Sequence, residues 1–285
     1  MDFEYIKTGE ELSALISDLN NKERIAVDFE GEFNLHINGE HLCLIQVFDG
    51  ERYYIIDPRG HEMKRDALIA FFTSPVKKVW FDMQSDNALI HKNYNTVLNN
   101  VVDTRVLAMC LGYTGNLTGL IEKYLGITTE VTDKKKLQQT NWLKRPLSPE
   151  QLNYALSDVE YLFQLEDILT VEVEKAGLTK QAETQMKKAH KVSPEKPGWK
   201  KIGNWKLLNE EQRKATREYF IARDVVAKRF NVPAYFVLDK HKIITVGKIC
   251  PRNEKDLFKY VGDINPRFER YLTDSLKKAF SNLHP

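Results

Sequence analysis

Cysteine is scarce in this 285-residue sequence: Cys43, Cys110 and Cys250 lie far apart in apolar surroundings. They have no metal-ligand spacing, and an odd count argues against a disulfide framework, so a reduced, cytoplasmic setting is expected. No apolar run approaches the roughly 18–20 residues that cross a bilayer. The opening MDFEYIKTGEEL is acidic and polar, unlike a secretory signal. Internal repeats and low-complexity tracts are missing too, and His36, His41 and His91 fall in no ligand pattern. What remains is a globular composition, 42% hydrophobic and 29% charged, in a chain long enough for two domains.

The small net charge of +2 conceals an asymmetry. Residues 1–174 hold 17 Lys and Arg against 28 Asp and Glu, whereas residues 175–285 hold 25 against 12. An acidic front (−11) joined to a basic back (+13) suggests chemistry in one half and a polyanion, such as nucleic acid, on the other.

Periodicity divides the front half. GEELSALISDLNN (9–21) places Leu12, Leu15, Ile16 and Leu19 on one helical face. RIAVDFE, HLCLIQVFD and RYYIID read as strands, the second buried on both faces, with Asp49-Gly50 as a hairpin turn. HEMKRDALIAFFTS reads as helix, VKKVWF as strand, and SDNALIHKNY, DTRVLAMCLGY and NLTGLIEKYLG as helices. A long helix is expected from about residue 149, with Ser148 as N-cap, Pro149 at the first turn and Gln151 closing a capping box. These elements imply a mixed sheet covered by helices.

In RIAVDFEGEFN, residues 24–34, Asp28, Glu30 and Glu32 stand at every second position, so a strand would point all three the same way. Aligned carboxylates repel, and burying them is costly without a counter-charge. Divalent cations with a taste for hard oxygen ligands, Mg²⁺ or Mn²⁺, reverse that repulsion. Asp86 and Asp158 are further acids that a structured site would collect. Tyr154, one turn before Asp158, is placed to orient a water. Glu32 reads as a plain surface acid, Asp82 as a helix-start acid beside Asp86, Asp103 as an N-cap, and Lys134, Lys135 and Lys136 as a solvated face.

The order D-x-E (VDFEGEF), then D (KVWFDMQSDNALI), then Y-x-x-x-D (NYALSDVEYL) resembles the DEDDy 3′–5′ exonucleases. The flanks HLCLIQV, DTRVLAMCLGY, LTGLIEKYLGI and KKLQQTNWLKRPLSPEQLNYALSDVEYL narrow the resemblance to the ribonuclease D group, over residues 4–170. It implies a ribonuclease-H-like α/β fold and catalysis by two Mg²⁺ or Mn²⁺ ions. Asp28 would serve both ions, Glu30 and Asp158 would complete one site, and Asp86 would support the other. Tyr154 would position the attacking water. Lys136, Gln139, Trp142 and Arg145 match the segment before the third motif and would hold the RNA end, although arginine and aromatics suit packing equally. Phe81 stands where the family often has His, and Asp82, Gly31 and Glu32 also depart from its pattern.

Residues 193–206, within VSPEKPGWKKIGNWK, read as a linker. EEQRKATREYFIARDVVAKRF is a basic amphipathic helix, VPAYFVLDKHKIITVGKICP reads as irregular, and EKDLFKYV and RFERYLTDSLKKAF are helices. R-D-x-x-A-x-x-x-x-V-P followed by P-x-x-x-x-D-L makes residues 207–285 similar to the small helical HRDC domain, which implies nucleic-acid binding beside an exonuclease domain at 1–192. The reading is an exoribonuclease acting on RNA with a free 3′ end, such as a tRNA precursor. A DNA exonuclease and a non-catalytic RNA-binding adaptor are the alternatives. Membrane association is not expected, and nothing points to an oligomeric state.

Overall fold

The computed structural model describes residues 2–128, 134–203 and 205–284, with the side chains of Lys134 and Lys135 outside that description. Two compact units emerge. One comprises Met1–Glu32 with Glu40–Ser193, the other Phe33–Gly39 with Pro194–Pro285.

The first unit runs β1 (Phe3–Ile6), α1 (Gly9–Leu19), β2 (Arg24–Phe33), β3 (Glu40–Phe48), β4 (Tyr53–Ile56), α2 (Arg65–Thr73), β5 (Lys77–Trp80), α3 (Gln84–Tyr94), β6 (Val101–Asp103) and α4 (Thr104–Cys110). It continues through α5 (Leu117–Leu125), α6 (Lys134–Gln138), α7 (Pro149–Ser157), α8 (Leu162–Lys175) and α9 (Thr179–Ala189). The six strands form one mixed sheet in the order β1-β4-β3-β2-β5-β6. β1 runs parallel to β4, and β5 is parallel to both β2 and β6, while β3 and β4 are antiparallel. Their turn carries Gly50 at φ +99°, where the missing Cβ matters, and the Asp49 carboxylate accepts from the N–H groups of Glu51 (2.9 Å) and Arg52 (2.7 Å).

Strand alternation sorts β2 between two layers. Ile25, Val27 and Phe29 enter a core with α1, α2 and α3, and Phe29 meets Trp80 edge-on at 4.6 Å. Ala26 faces the opposite layer, built on Leu107 of α4, Leu120 of α5, and Leu162 and Leu165 of α8. Asp28 and Glu30 share the Ala26 face. β3 lies inside the sheet, and Leu42 through Val47 are all buried. That is why its sequence is almost unbroken in apolar residues.

Two expectations need correction. The helix read from residue 149 is not one helix. α7 stops at Ser157, Asp158 is its C-cap, and α8 starts at Leu162. No Gly or Pro marks the break, and the buried series Leu156, Val159, Leu162, Leu165, Leu169 keeps helical spacing across it. Hydrophobic periodicity therefore could not reveal it. In the second unit, the stretch read as irregular forms α11 (Ala234–Val237) and α12 (Lys240–Ile249) between α10 (Glu210–Phe230) and α13 (Glu254–Val261), ahead of α14 (Glu269–Leu283). Its β-branched residues disfavour helix locally. Burial of Ile243 and Val246 and the Asp239 cap on the His241 N–H (2.6 Å) override that preference.

α10 is the spine of the second unit, packed on α12 and α14, with Tyr219, Phe220, Leu257, Phe268, Leu272 and Leu276 in its core. Short 3₁₀ turns at Gly198–Lys201 and Trp205–Leu207 occupy the region read as a linker. Within the same unit, the Tyr235 hydroxyl donates to the Leu35 carbonyl at 3.1 Å.

The α10–α12 contact depends on Gly247. A Cβ there would stand 2.8 Å from the Thr216 Cα and 2.9 Å from its Cβ. Gly→Ala inside a helix ordinarily gains about 1 kcal/mol of propensity, but overpacking costs about 1–3 kcal/mol. Since the clash is with backbone, sterics should win. Gly247→Ala is expected to lower the thermal midpoint, and an unchanged or raised midpoint in a melting experiment would contradict this packing.

Candidate active site

β2 supplies the first two carboxylates and the α7 C-cap the third. Carboxylate oxygens of Asp28, Glu30 and Asp158 all lie within 4.8 Å of one another, and they form the one such acidic or metal-ligand group among the described residues. Glu30 is buried, and Asp28 and Asp158 are half-buried. Burial raises both strand carboxyls well above the usual range. The charges of Asp86 and Asp158 push Asp28 further, and those of Asp28, Asp158 and Asp86 push Glu30. No Lys or Arg enters the surroundings that set either group. Three hard oxygen donors gathered this closely fit a divalent cation.

Asp86 stands outside the close trio but within reach of its field. Burial raises its pKa to about 7, helped by the Asp82 and Asp103 charges, while the Trp80 indole N–H, donating at 2.9 Å, pulls it down. Its position depends on the turn between β5 and α3. There the buried Asp103 carboxylate accepts from the N–H groups of Asp82 (2.8 Å), Met83 (3.0 Å) and Arg105 (2.9 Å). Asp103 is thus the expected N-cap of α4, and it also pins the turn that aims Asp86. Asp82 does not sit at the helix start as expected. It precedes α3 by two residues with φ +65° and forms an ion pair with Arg105, whose guanidinium lies 5.9 Å over the Phe81 ring.

Glu32 is also corrected. It is 1% exposed, not a surface acid. β2 extends to Phe33, further than RIAVDFE suggested, which keeps Glu32 inside the sheet yet outside the carboxylate trio.

Tyr154 is buried on α7, a helix started by the expected capping box of Ser148 and Gln151. Burial, then the charges of Asp158 and Glu30, raise its hydroxyl, with Gln138 as a hydrogen-bond partner acting the other way. The hydroxyl stays protonated and can donate. Gln138 is not marked by the sequence pattern, which points to its neighbour Gln139; that residue is exposed, as is Lys136. Trp142 and Arg145 are committed internally. Trp142 is 1% exposed, its ring 6.2 Å from that of Tyr154. Arg145 spends its guanidinium hydrogens on both Asp57 oxygens and on the carbonyls of Cys43 (2.8 Å), Trp142 (2.7 Å) and Lys144 (2.9 Å). With all five donors used, no N–H remains for a phosphate. Burial alone would raise Asp57, but Arg145 holds it below the usual carboxylate range. The expected RNA contact at these two positions is therefore replaced by a support for the segment against Tyr154.

A family model described as 3′–5′ exonuclease matches residues 3–174, well over half of the chain and all of the carboxylate site. The chain belongs to this 3′–5′ exonuclease family. Among curated relatives it is 30% identical over 220 residues to ribonuclease D of Escherichia coli K12, a match covering 74% of this chain and 57% of that enzyme. The chain thus spans little more than half the length of that relative. The crystal structure of Escherichia coli RNase D, an exoribonuclease involved in structured RNA processing, has a TM-score of 0.77 at 24% identity, covering 98% of this chain and 75% of that one. The RRP6 catalytic core of Trypanosoma brucei gives 0.78 at 20% identity, with 99% and 80% covered. These likenesses establish a ribonuclease-D-like exonuclease fold.

The electrostatics carry a sign that can be checked. A carboxyl raised from about 4 to about 7 in the folded chain favours its protonated form. Without metal, the folded state loses stability as pH climbs through that interval and bears the full penalty above it. Asp86→Asn removes the charge and keeps an acceptor for Trp80. In EDTA, the variant's thermal midpoint should match the parent's near pH 4–5 and exceed it increasingly towards pH 7.5. Parallel profiles would show that Asp86 is not held in this environment.

Proposed function

We propose that this chain is a metal-dependent 3′–5′ exoribonuclease of the ribonuclease D type. It trims the 3′ ends of structured RNA such as tRNA precursors and releases nucleoside 5′-monophosphates. The observation that carries this is the Asp28–Glu30–Asp158 trio beside a protonated Tyr154, in a chain of the 3′–5′ exonuclease family. Asp28, Glu30 and Asp158 would hold one divalent ion, and Asp28 with Asp86 would support a second. Bound there, Mg²⁺ or Mn²⁺ supplies Lewis-acid stabilisation of charge developing on the phosphate.

The chain's own groups do the positioning. The Tyr154 hydroxyl, buried and kept from ionising by neighbouring carboxylates, donates to and aligns the attacking water. The new P–O bond forms as the P–O3′ bond breaks; the attacking water gives up a proton to solvent, and the leaving 3′ oxygen takes one up from solvent. The basic second unit, similar to an HRDC domain, tethers the RNA body through its phosphates, in keeping with its 20 Lys and Arg against 11 Asp and Glu over residues 194–285. No helix among the described residues is long and apolar enough to cross a membrane, and the three cysteines are free, which supports action in the reducing cytoplasm.

Matched single-stranded RNA and DNA with unpaired 3′ ends test the reading. RNA should be shortened stepwise to nucleoside 5′-monophosphates with Mg²⁺ or Mn²⁺. Asp28→Ala or Asp158→Ala should abolish this while circular dichroism stays unchanged. Preferential hydrolysis of DNA would move the assignment to a DNA exonuclease, and a wild-type chain that binds RNA without cutting it would make it an adaptor.

Tyr154→Phe separates alignment from binding. The ring still packs on Trp142, but the hydroxyl is gone. Turnover is expected to fall by about 10²–10⁴-fold, the range for a positioned proton-handling group, with KM changing little. A raised KM at unchanged kcat would instead assign Tyr154 to substrate binding.

A further inference from the structure

Gln46 is the least explained residue in the catalytic unit. It is fully buried in β3, and neither its amide oxygen nor its amide nitrogen has a hydrogen-bond partner in the protein. An orphaned buried amide is disfavoured relative to an apolar side chain of the same size, and such groups in folded proteins ordinarily serve ordered water, an ion or catalysis.

Its position narrows the choice. Gln46 lies opposite Ile55 across the β3–β4 ladder, so the two side chains share a face, and Ile55 belongs to the layer containing Tyr154. Two residues back on that face, Leu44 packs in the cluster holding Ala155 and Leu156 at the end of α7. Two residues forward, Phe48 lies 5.6 Å from Phe163 at the start of α8. Gln46 therefore sits beneath the interruption between the two helices, where Asp158 stands. There the backbone ladder is stretched: the Asp158, Val159 and Leu162 N–H groups reach their acceptors at 3.4, 3.3 and 3.4 Å. A loosened ladder offers polar backbone atoms to a neighbour. The Trp142 indole N–H is a second buried donor without a protein partner in the same layer. A buried water needs two to four such partners.

We propose that Gln46 is a positioning residue for this reaction: through ordered water its amide holds the turn at Asp158 from below, and so sets the Asp158 carboxylate against Asp28 and Glu30. This rests on the reading of the trio as a divalent-metal site. Gln46 touches no reacting atom. Its effect is on where a ligand stands, as with the hydrogen-bond partners that orient metal ligands in other sites.

Gln46→Leu tests it, with Gln46→Met as a length-matched second variant should the first fail to fold. Three quantities are measured on the full chain: thermal midpoint, Mn²⁺ affinity by titration without RNA, and kcat and KM on a short RNA. The thermal midpoint shows that each variant is folded at the assay temperature. The Mn²⁺ dissociation constant should weaken, and kcat should fall, each by about 10–100-fold, with KM within about twofold. A folded variant whose Mn²⁺ affinity and kcat stay within about twofold of the parent would overturn the proposal and leave Gln46 a packing residue. Should the parent bind Mn²⁺ yet cut no RNA, the exoribonuclease reading fails, while the Mn²⁺ titration still decides the role of Gln46.

Discussion

Mutual repulsion among carboxylates on one face of β2 is the constraint around which the catalytic unit is arranged. Asp28 and Glu30 sit in the sheet, half-buried and buried, and Asp158 is brought to them from a separate helix. The opposite face of the same strand offsets the strain, with Val27 and Phe29 locked into an aromatic core against Phe72 and Trp80. A strand that is apolar on one side and acidic on the other can keep its acids together only because its apolar side is so firmly held. The charge cluster and the hydrophobic core are two faces of one ten-residue segment.

The same logic governs Asp86. Its carboxyl sits on the first turn of α3, held by Trp80 from the end of β5, so the aromatic core that anchors β2 also aims an acid on the neighbouring helix. Asp103 contributes from β6 by collecting three N–H groups of the turn and the next helix. The acids of the site thus come from one strand, β2, and from two helix ends, and the pairing of β2 with β5 sets the start of α3, with Asp86, beside the strand.

Much of this was legible in the residues. The alternation Asp28-x-Glu30 named the strand and its acidic face. The Tyr154–Asp158 interval named a helix, and the Ser148 capping box named its start. What was not legible depended on long-range contacts. The break at Asp158 carries no Gly or Pro, and the apolar spacing passes through it undisturbed. Arg145 and Trp142 have the chemistry of RNA contacts, and only the arrival of Asp57, 88 residues from Arg145, and the burial of the Trp142 ring show that neither is presented to a ligand. Glu32 looked like a surface acid because the strand's true length is set by its neighbours in the sheet and not by its own residues. α12 looked irregular because its helicity comes from burial against α10.

The clasp on Arg145 links the first strand of this unit to the segment before α7. The Tyr5 hydroxyl on β1 donates to Asp57 at 2.9 Å, Asp57 grips Arg145, Arg145 holds the Trp142 carbonyl, and the Trp142 ring leans on Tyr154. The edge strand of the sheet is therefore the far end of a lever whose near end is Tyr154, beside the carboxylate trio. A tag, a truncation or a binding protein that displaces residues 3–6 would be felt as a change in chemistry and not only as a loss of stability, even though no atom of that strand belongs to the site.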